Sequence, residues 1–189
     1  NPKVLRLSEV EKGVVYAMVI TTNAGLWRYL IGDTVIFTSL SPFRLKITGR
    51  TKSYINTFGE ELMVDNAEKA LSIACSKCHA VISDYTAGPH FSPDRQTAAH
   101  EWIIEFEKAP ENPEYFNEAF DNALKSLNSD YEAKRYHNMV LMPPIIHAVP
   151  QGTFYNWLKM KGKLGGQNKV PRLSNDRIIL DEILPIIKR

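Results

Sequence analysis

Residues 101–127 read EWIIEFEKAPENPEYFNEAFDNALKSL, and this stretch decides the fold class. Glu101 to Glu107 is rich in β-branched and aromatic residues and reads as a strand. Asn112-Pro113 then supplies a helix N-cap and a proline at the first helical position, where its missing N–H would have no partner anyway. Phe116, Ala119, Phe120, Ala123, Leu124 and Leu127 follow at spacings of three and four, the period of a helix with one apolar face. Upstream, Ala80 to Tyr85 reads as a second strand, separated from the first by a loop carrying Gly88, Pro89 and Pro93. Before it, Asp65-x-x-Glu68 resembles a capping box that opens a helix running to about Cys78. Downstream, Ile145 to Val149 is a third strand, and Gly152-Thr153 opens a last helix with Phe154, Trp157 and Leu158 on one face. The order helix, strand, strand, helix, strand, helix predicts an α+β domain in which helices cover a small sheet.

The residues before this domain read differently. Val14 to Ile20, Thr34 to Phe37 and Arg44 to Ile47 are strand-like, with Asn23-Ala24-Gly25 and Ser41-Pro42 as turns. The change of pattern at Arg50 to Ser53 sets the expected boundary, with one piece at 1–52 and an α+β domain at 53–189. The first strand has no evident preceding partner and the sequence starts at Asn1 without methionine. Both suit a piece of a longer chain.

Composition excludes several classes. Of 189 residues, 44% are hydrophobic and 23% charged, which is globular and not disordered. No apolar run reaches the roughly 18 residues that a membrane-spanning helix needs. The N-terminus lacks the charged and apolar regions of a secretion signal, so the expected setting is cytoplasmic. A net charge of +2 is too small to argue for nucleic acid. Charge is concentrated locally, however: residues 151–177 hold Lys159, Lys161, Lys163, Lys169, Arg172 and Arg177 against Asp176. With Phe154, Tyr155 and Trp157 beside it, this segment leaves open a binding module that stacks bases, although helical spacing assigns those aromatics to a core. Cys75-Ser76-Lys77-Cys78-His79 fits the haem-attachment spacing. Leu71, Ala74, Cys75 and Cys78 share an apolar helix face, so packing is the expected role and no metal site is assigned.

Three stretches could carry chemistry. In Gly25-Leu26-Trp27-Arg28-Tyr29-Leu30-Ile31-Gly32-Asp33, a glycine before an aspartate at a strand end lets backbone approach a ligand, and a carboxylate can accept both hydrogen bonds of a vicinal diol such as ribose. In Thr48-Gly49-Arg50-Thr51-Lys52, an arginine between two domains could bind a phosphate or ribose oxygen, and its neighbour could act as a hinge. In Gly165-Gly166-Gln167-Asn168-Lys169-Val170-Pro171-Arg172, glycines free a loop that could deliver a lysine to a phosphate as a point charge. By spacing alone the plainer readings come first: a turn for Gly32-Asp33, a surface arginine for Arg50 and a basic surface loop around Lys169.

In this order the three stretches resemble the adenylate-forming superfamily. Within it they are similar to the Gretchen-Hagen-type (auxin-responsive promoter family) acyl acid amido synthetases and their bacterial relatives. Plant members carry Thr-Thr-x-Ala-Gly-Leu-Tyr-Arg-Tyr-Arg-x-Gly-Asp, and Thr21 to Asp33 reads TTNAGLWRYLIGD. They also carry Gln-Tyr-Lys-x-Pro-Arg, and Gln167 to Arg172 reads QNKVPR. The resemblance implies the C-terminal piece of a bacterial-type ligase: the last β-strands of the large domain, then its small mobile C-terminal domain. It implies ATP and Mg2+, a small carboxylic acid and an amino acid or other amine as partners, and contact with the rest of the large domain. It implies no nucleic acid and no membrane. Asp33 would bind the ribose, Arg50 the ribose or phosphate, Lys52 would be the hinge, and Lys169 would stabilise charge on the α-phosphate. An acyl-CoA ligase shares the first step and stays as the alternative. Asn56-Thr57-Phe58-Gly59-Glu60-Glu61-Leu62 departs from the acidic plant stretch at that place, which leaves the acceptor open. The phosphate loop and the acyl pocket of the family have no counterpart in this sequence.

Overall fold

The computed structural model describes residues 3–51, 54–165 and 168–187, with Arg50 described by its backbone. The chain divides into two compact units, Asn1–Lys52 and Ser53–Arg189.

In the first unit, β1 (Val15–Ile20), β2 (Tyr29–Leu40) and β3 (Phe43–Arg50) form an antiparallel sheet in that order. The turn at Asn23 to Gly25 closes with Thr22 N–H donating to Leu26 O at 2.9 Å, and Gly25 takes φ 100°, a conformation that favours glycine. Strand β2 is longer than the Thr34–Phe37 core visible in sequence, because β1 pairs along it from Ile36 back to Tyr29. Val35 and Phe37 are buried, and Tyr16 and Phe43 meet the Phe37 ring edge-on.

The second unit is an α+β domain. A short hairpin, β4 (Tyr54–Ile55) with β5 (Leu62–Met63), leads into α1 (Val64–Cys78). Then come β6 (Val81–Phe91), β7 (Ala98–Lys108), α2 (Pro113–Leu127), α3 (Ser129–Arg135), β8 (Ile145–Val149), α4 (Thr153–Met160) and α5 (Ile178–Ile187). Strand β7 pairs antiparallel with β6 and parallel with β8. Alternation along β7 sends Trp102, Ile104 and Phe106 to a cluster with Ala67, Leu71, Phe116 and Phe120 of α1 and α2. Ile103 points the other way, to a cluster with Phe154, Trp157, Leu180 and Ile183 of α4 and α5.

Several local expectations are corrected. Gly88 and Pro89 lie inside β6 and not in a loop. Helix α1 starts earlier than the Asp65 capping box suggests: Met63 is the N-cap residue and its N–H donates to Asn66 Oδ1 at 3.3 Å, while Asp65 pairs with Lys69. The domain also holds α3 and α5, which periodicity did not resolve. Helix α3 is too short for a period to show. It is held by Asn128 Oδ1 accepting the Tyr131 N–H, and by Arg135, which donates from Nε and Nη2 to the Asp121 carboxylate at 2.9 and 2.7 Å. Helix α5 contains Pro185, a residue that reads as a breaker.

Candidate functional site

The Gly32-Asp33 step sits inside β2 and not at its end, because β1 pairs with β2 on the N-terminal side of it. Gly32 has φ 91°, and its carbonyl accepts both the Thr51 N–H at 2.7 Å and the Thr51 hydroxyl at 3.3 Å. The β2–β3 register places Asp33 opposite Arg50 and Thr34 opposite Gly49, then slips by one residue before Val35 meets Ile47. Thr48 is the extra residue of that bulge, and its hydroxyl lies 3.1 Å from that of Thr34. Bulges re-aim strand ends beside functional sites. Two residues singled out from separate motifs are therefore neighbours across one strand pair. Asp33 is half-buried. Lys52 lies outside the described residues, as do Gly166 and Gln167 of the third stretch.

Lys169 belongs to the second unit, in the irregular segment between α4 and α5, and is exposed. The residues after it are held firmly. Val170 and Leu173 are buried. The Ala87 N–H donates to Arg172 O at 2.9 Å and the Ser174 N–H to Ala87 O at 3.0 Å, so residues 172–174 lie as a parallel strap along the edge of β6. The Thr86 hydroxyl donates to Pro171 O at 2.7 Å. Arg172 donates to the Asp84 carboxylate and to Tyr85 O, with its guanidinium 4.6 Å from the Tyr85 ring centre. It borders a shallow groove of about 340 Å³ between α1 and β6, which Glu68, Leu71 and Cys75 also line. Sequence reasoning missed Asp84, Tyr85 and Thr86. They stand some 85 residues from their partners, and nothing local marks them.

The Asn56–Leu62 stretch holds another group that sequence did not single out. Glu60 is fully buried. Its carboxylate accepts the Thr57 N–H and Phe58 N–H, both at 2.7 Å, and the Thr57 hydroxyl, and its Oε1 lies 2.8 Å from His100 Nε2. Burial alone would raise its pKa, but the hydrogen bonds from His100, Thr57 and Phe58, with the charge of His100, outweigh that and hold it down at about 2. Elsewhere, Cys75 and Cys78 are free thiols, half-buried against the first core cluster, and burial raises both. His79 is the left-handed C-cap of α1. Among the described residues no group of three or more His, Cys, Asp or Glu is placed to hold a metal ion. Of the three aromatics beside the basic segment, Phe154 and Trp157 are buried in the second cluster and Tyr155 is exposed. Among the described residues no helix is long and apolar enough to cross a membrane.

The model of the GH3 family C-terminal domain matches residues 65–178, and that of the GH3 family central domain matches residues 1–50. The chain belongs to the GH3 family. Its similar relatives include the indole-3-acetic acid-amido synthetases GH3.3 and GH3.10 of Arabidopsis thaliana. GH3.3 is 27% identical over 90% of this chain and 30% of its own length, and GH3.10 is 28% identical over 95% and 31%. The GH3 chain thus spans about 30% of the length of these relatives. Among solved structures, the GH3.15 acyl acid amido synthetase superposes with a TM-score of 0.77 at 21% identity, covering 97% of this chain and 35% of its own. A 2-hydroxyisobutyryl-CoA ligase superposes with a TM-score of 0.53 at 12% identity, over 95% and 36%. Both likenesses are of fold. The TTNAGLWRYLIGD stretch falls in the matched central domain and QNKVPR in the matched C-terminal domain.

Proposed function

We propose that this GH3 chain works as the C-terminal part of an ATP-dependent acyl acid–amino acid ligase of bacterial type, in a cytoplasmic setting. The reading rests on family membership across both matched domains, with the nucleotide-type stretch in one and the lysine stretch in the other. The acid's carboxylate oxygen attacks the α-phosphorus of ATP, and the bond to pyrophosphate breaks. An amine then attacks the acyl carbon, AMP leaves and an amide forms. Asp33 accepts hydrogen bonds from both ribose hydroxyls. Arg50, opposite it on β3, contacts the ribose or a phosphate, and Lys52 is the hinge between half-reactions. Mg2+ arrives on the phosphates of ATP. Lys169 stabilises the charge that develops on the α-phosphate, a task of positioning and electrostatics.

The test is acid-dependent ATP–pyrophosphate exchange in the full-length protein across a panel of carboxylic acids, followed by product analysis with amino acids and with coenzyme A. Amide formation is expected. A thioester product would favour the acyl-CoA ligase reading. In the same assay Lys169→Ala should lower the rate of acyl-adenylate formation by roughly 10²–10³, as loss of one preorganised donor does, and should spare aminolysis of a supplied acyl-adenylate. No exchange with any acid would overturn the reading.

A further inference from the structure

We propose that Arg172 is a positioning residue for Lys169, acting through its clamp on Asp84 and Tyr85; this rests on the reading of Lys169 as the adenylation lysine. The segment 170–173 is anchored on two sides of the sheet edge. Val170 packs into the cluster under α4 and α5. Two residues on, Arg172 lies in the groove beside α1, paired with Asp84 and stacked on the Tyr85 ring. A segment held at one point can swivel about it, whereas a segment held on two sides also has a fixed heading. Lys169 is the residue immediately before the first anchor, so the heading of this segment sets where its ammonium can go. Arg172 stands three positions after Lys169, a span of about 10 Å when extended.

The guanidinium is poorly placed to be a mere staple of the fold. Its side chain is 37% exposed and that of Asp84 29%. The strap keeps its backbone bonds to Ala87, its Thr86–Pro171 bond and the buried Leu173 without the guanidinium. What the ion pair adds is direction. Misplacement of a reacting group by about 1 Å can cost on the order of 10²-fold in rate.

The experiment measures both half-reactions in the full-length protein for Arg172→Ala, Arg172→Lys, Asp84→Asn, Lys169→Ala and the Lys169→Ala/Arg172→Ala double variant. Arg172→Ala is expected to lower kcat for acyl-adenylate formation by about 10- to 100-fold. KM for ATP and the rate of aminolysis of a supplied acyl-adenylate should stay within about threefold, since neither uses the placed lysine. Arg172→Lys should recover part of the rate, because it keeps the charge and loses the fork and the ring stacking. Asp84→Asn should resemble it, and these two carry the test if Arg172→Ala does not fold. The double variant should be no slower than Lys169→Ala alone, the signature of a residue that acts through another. Additive losses, or equal losses in both half-reactions, would overturn the inference. An unchanged adenylation rate in Arg172→Ala beside a crippled Lys169→Ala would overturn it and leave the ligase reading standing. Intact adenylation in Lys169→Ala would overturn the assignment of the lysine and this inference with it.

Discussion

Asp33 and Glu60 are two carboxylates of one chain in very different surroundings. Asp33 is half-buried beside a strand bulge and opposite Arg50. If it holds the ribose in ground and transition states alike, Asp33→Ala in the full-length protein should raise the KM for ATP and change kcat much less. A loss on the order of 1.5–3 kcal/mol in nucleotide binding is expected, and unchanged affinity would return Asp33 to a structural role. Glu60 faces inward and binds its own loop together with His100. Its pKa falls from an ordinary 4.5 to about 2 in the fold, so its contribution is complete above pH 4.5 and is lost as pH falls towards 2. That difference corresponds to on the order of 3 kcal/mol. Glu60→Gln should therefore lower stability by roughly 2–4 kcal/mol at pH 7, with a gap to wild type that narrows below pH 4.5 and closes as the pH falls through about 2. Urea unfolding at a series of pH values measures it. A gap independent of pH would mean that Glu60 acts by shape and not by charge.

Among the elements, β6 bears the most consequences. One edge pairs with β7, and the other takes the strap that follows Lys169. Gly88 is what lets the chain before α5 lie against it: a Cβ there would meet Asp176 O at 2.8 Å and Leu180 Cδ1 at 3.1 Å. Backbone cannot yield as a flexible side-chain tip can. Gly88→Ala should cost about 1–3 kcal/mol and raise amide exchange selectively over residues 177–180, while α1 and α2 keep their protection. Uniform loss of protection would show that β6 itself had failed. The start of α5 is also tied by Arg177, which donates to buried Glu101 at 2.6 Å and to Pro89 O at 2.8 Å. Sequence patterns showed α2 clearly because its cap, its proline and its apolar face coincide. They hid α5 because its stabilising contacts lie on a strand about 90 residues earlier.

At the scale of the molecule, the two units differ in what they bury. The second holds two apolar clusters on opposite faces of its sheet. In the first, the buried hydrophobic residues among those described are Val35 and Phe37, while Trp27 is 79% exposed and Val15, Leu30, Leu45 and Ile47 are exposed as well. Residues 53–189 expressed alone should therefore unfold in one cooperative urea transition, and residues 1–52 alone should show none. A cooperative transition in the short piece would contradict this account. The 189-residue chain assayed by itself should give no pyrophosphate exchange, since no stretch of it resembles the family's phosphate loop.

The sequence by itself determined the α+β class, the β-rich first unit and the family, because helix and strand periods, caps and short motifs are local and survive in a linear reading. It also named Asp33, Arg50 and Lys169, which stand inside such motifs. Only the tertiary structure decided that Asp33 and Arg50 hold paired register positions on β2 and β3 beside a bulge, and that Glu60 is buried on His100. It alone showed that the segment after Lys169 is clamped by Asp84 and Tyr85. Register, burial and ion pairing between residues tens of positions apart depend on which surfaces come together when the core closes, and no local pattern encodes that choice.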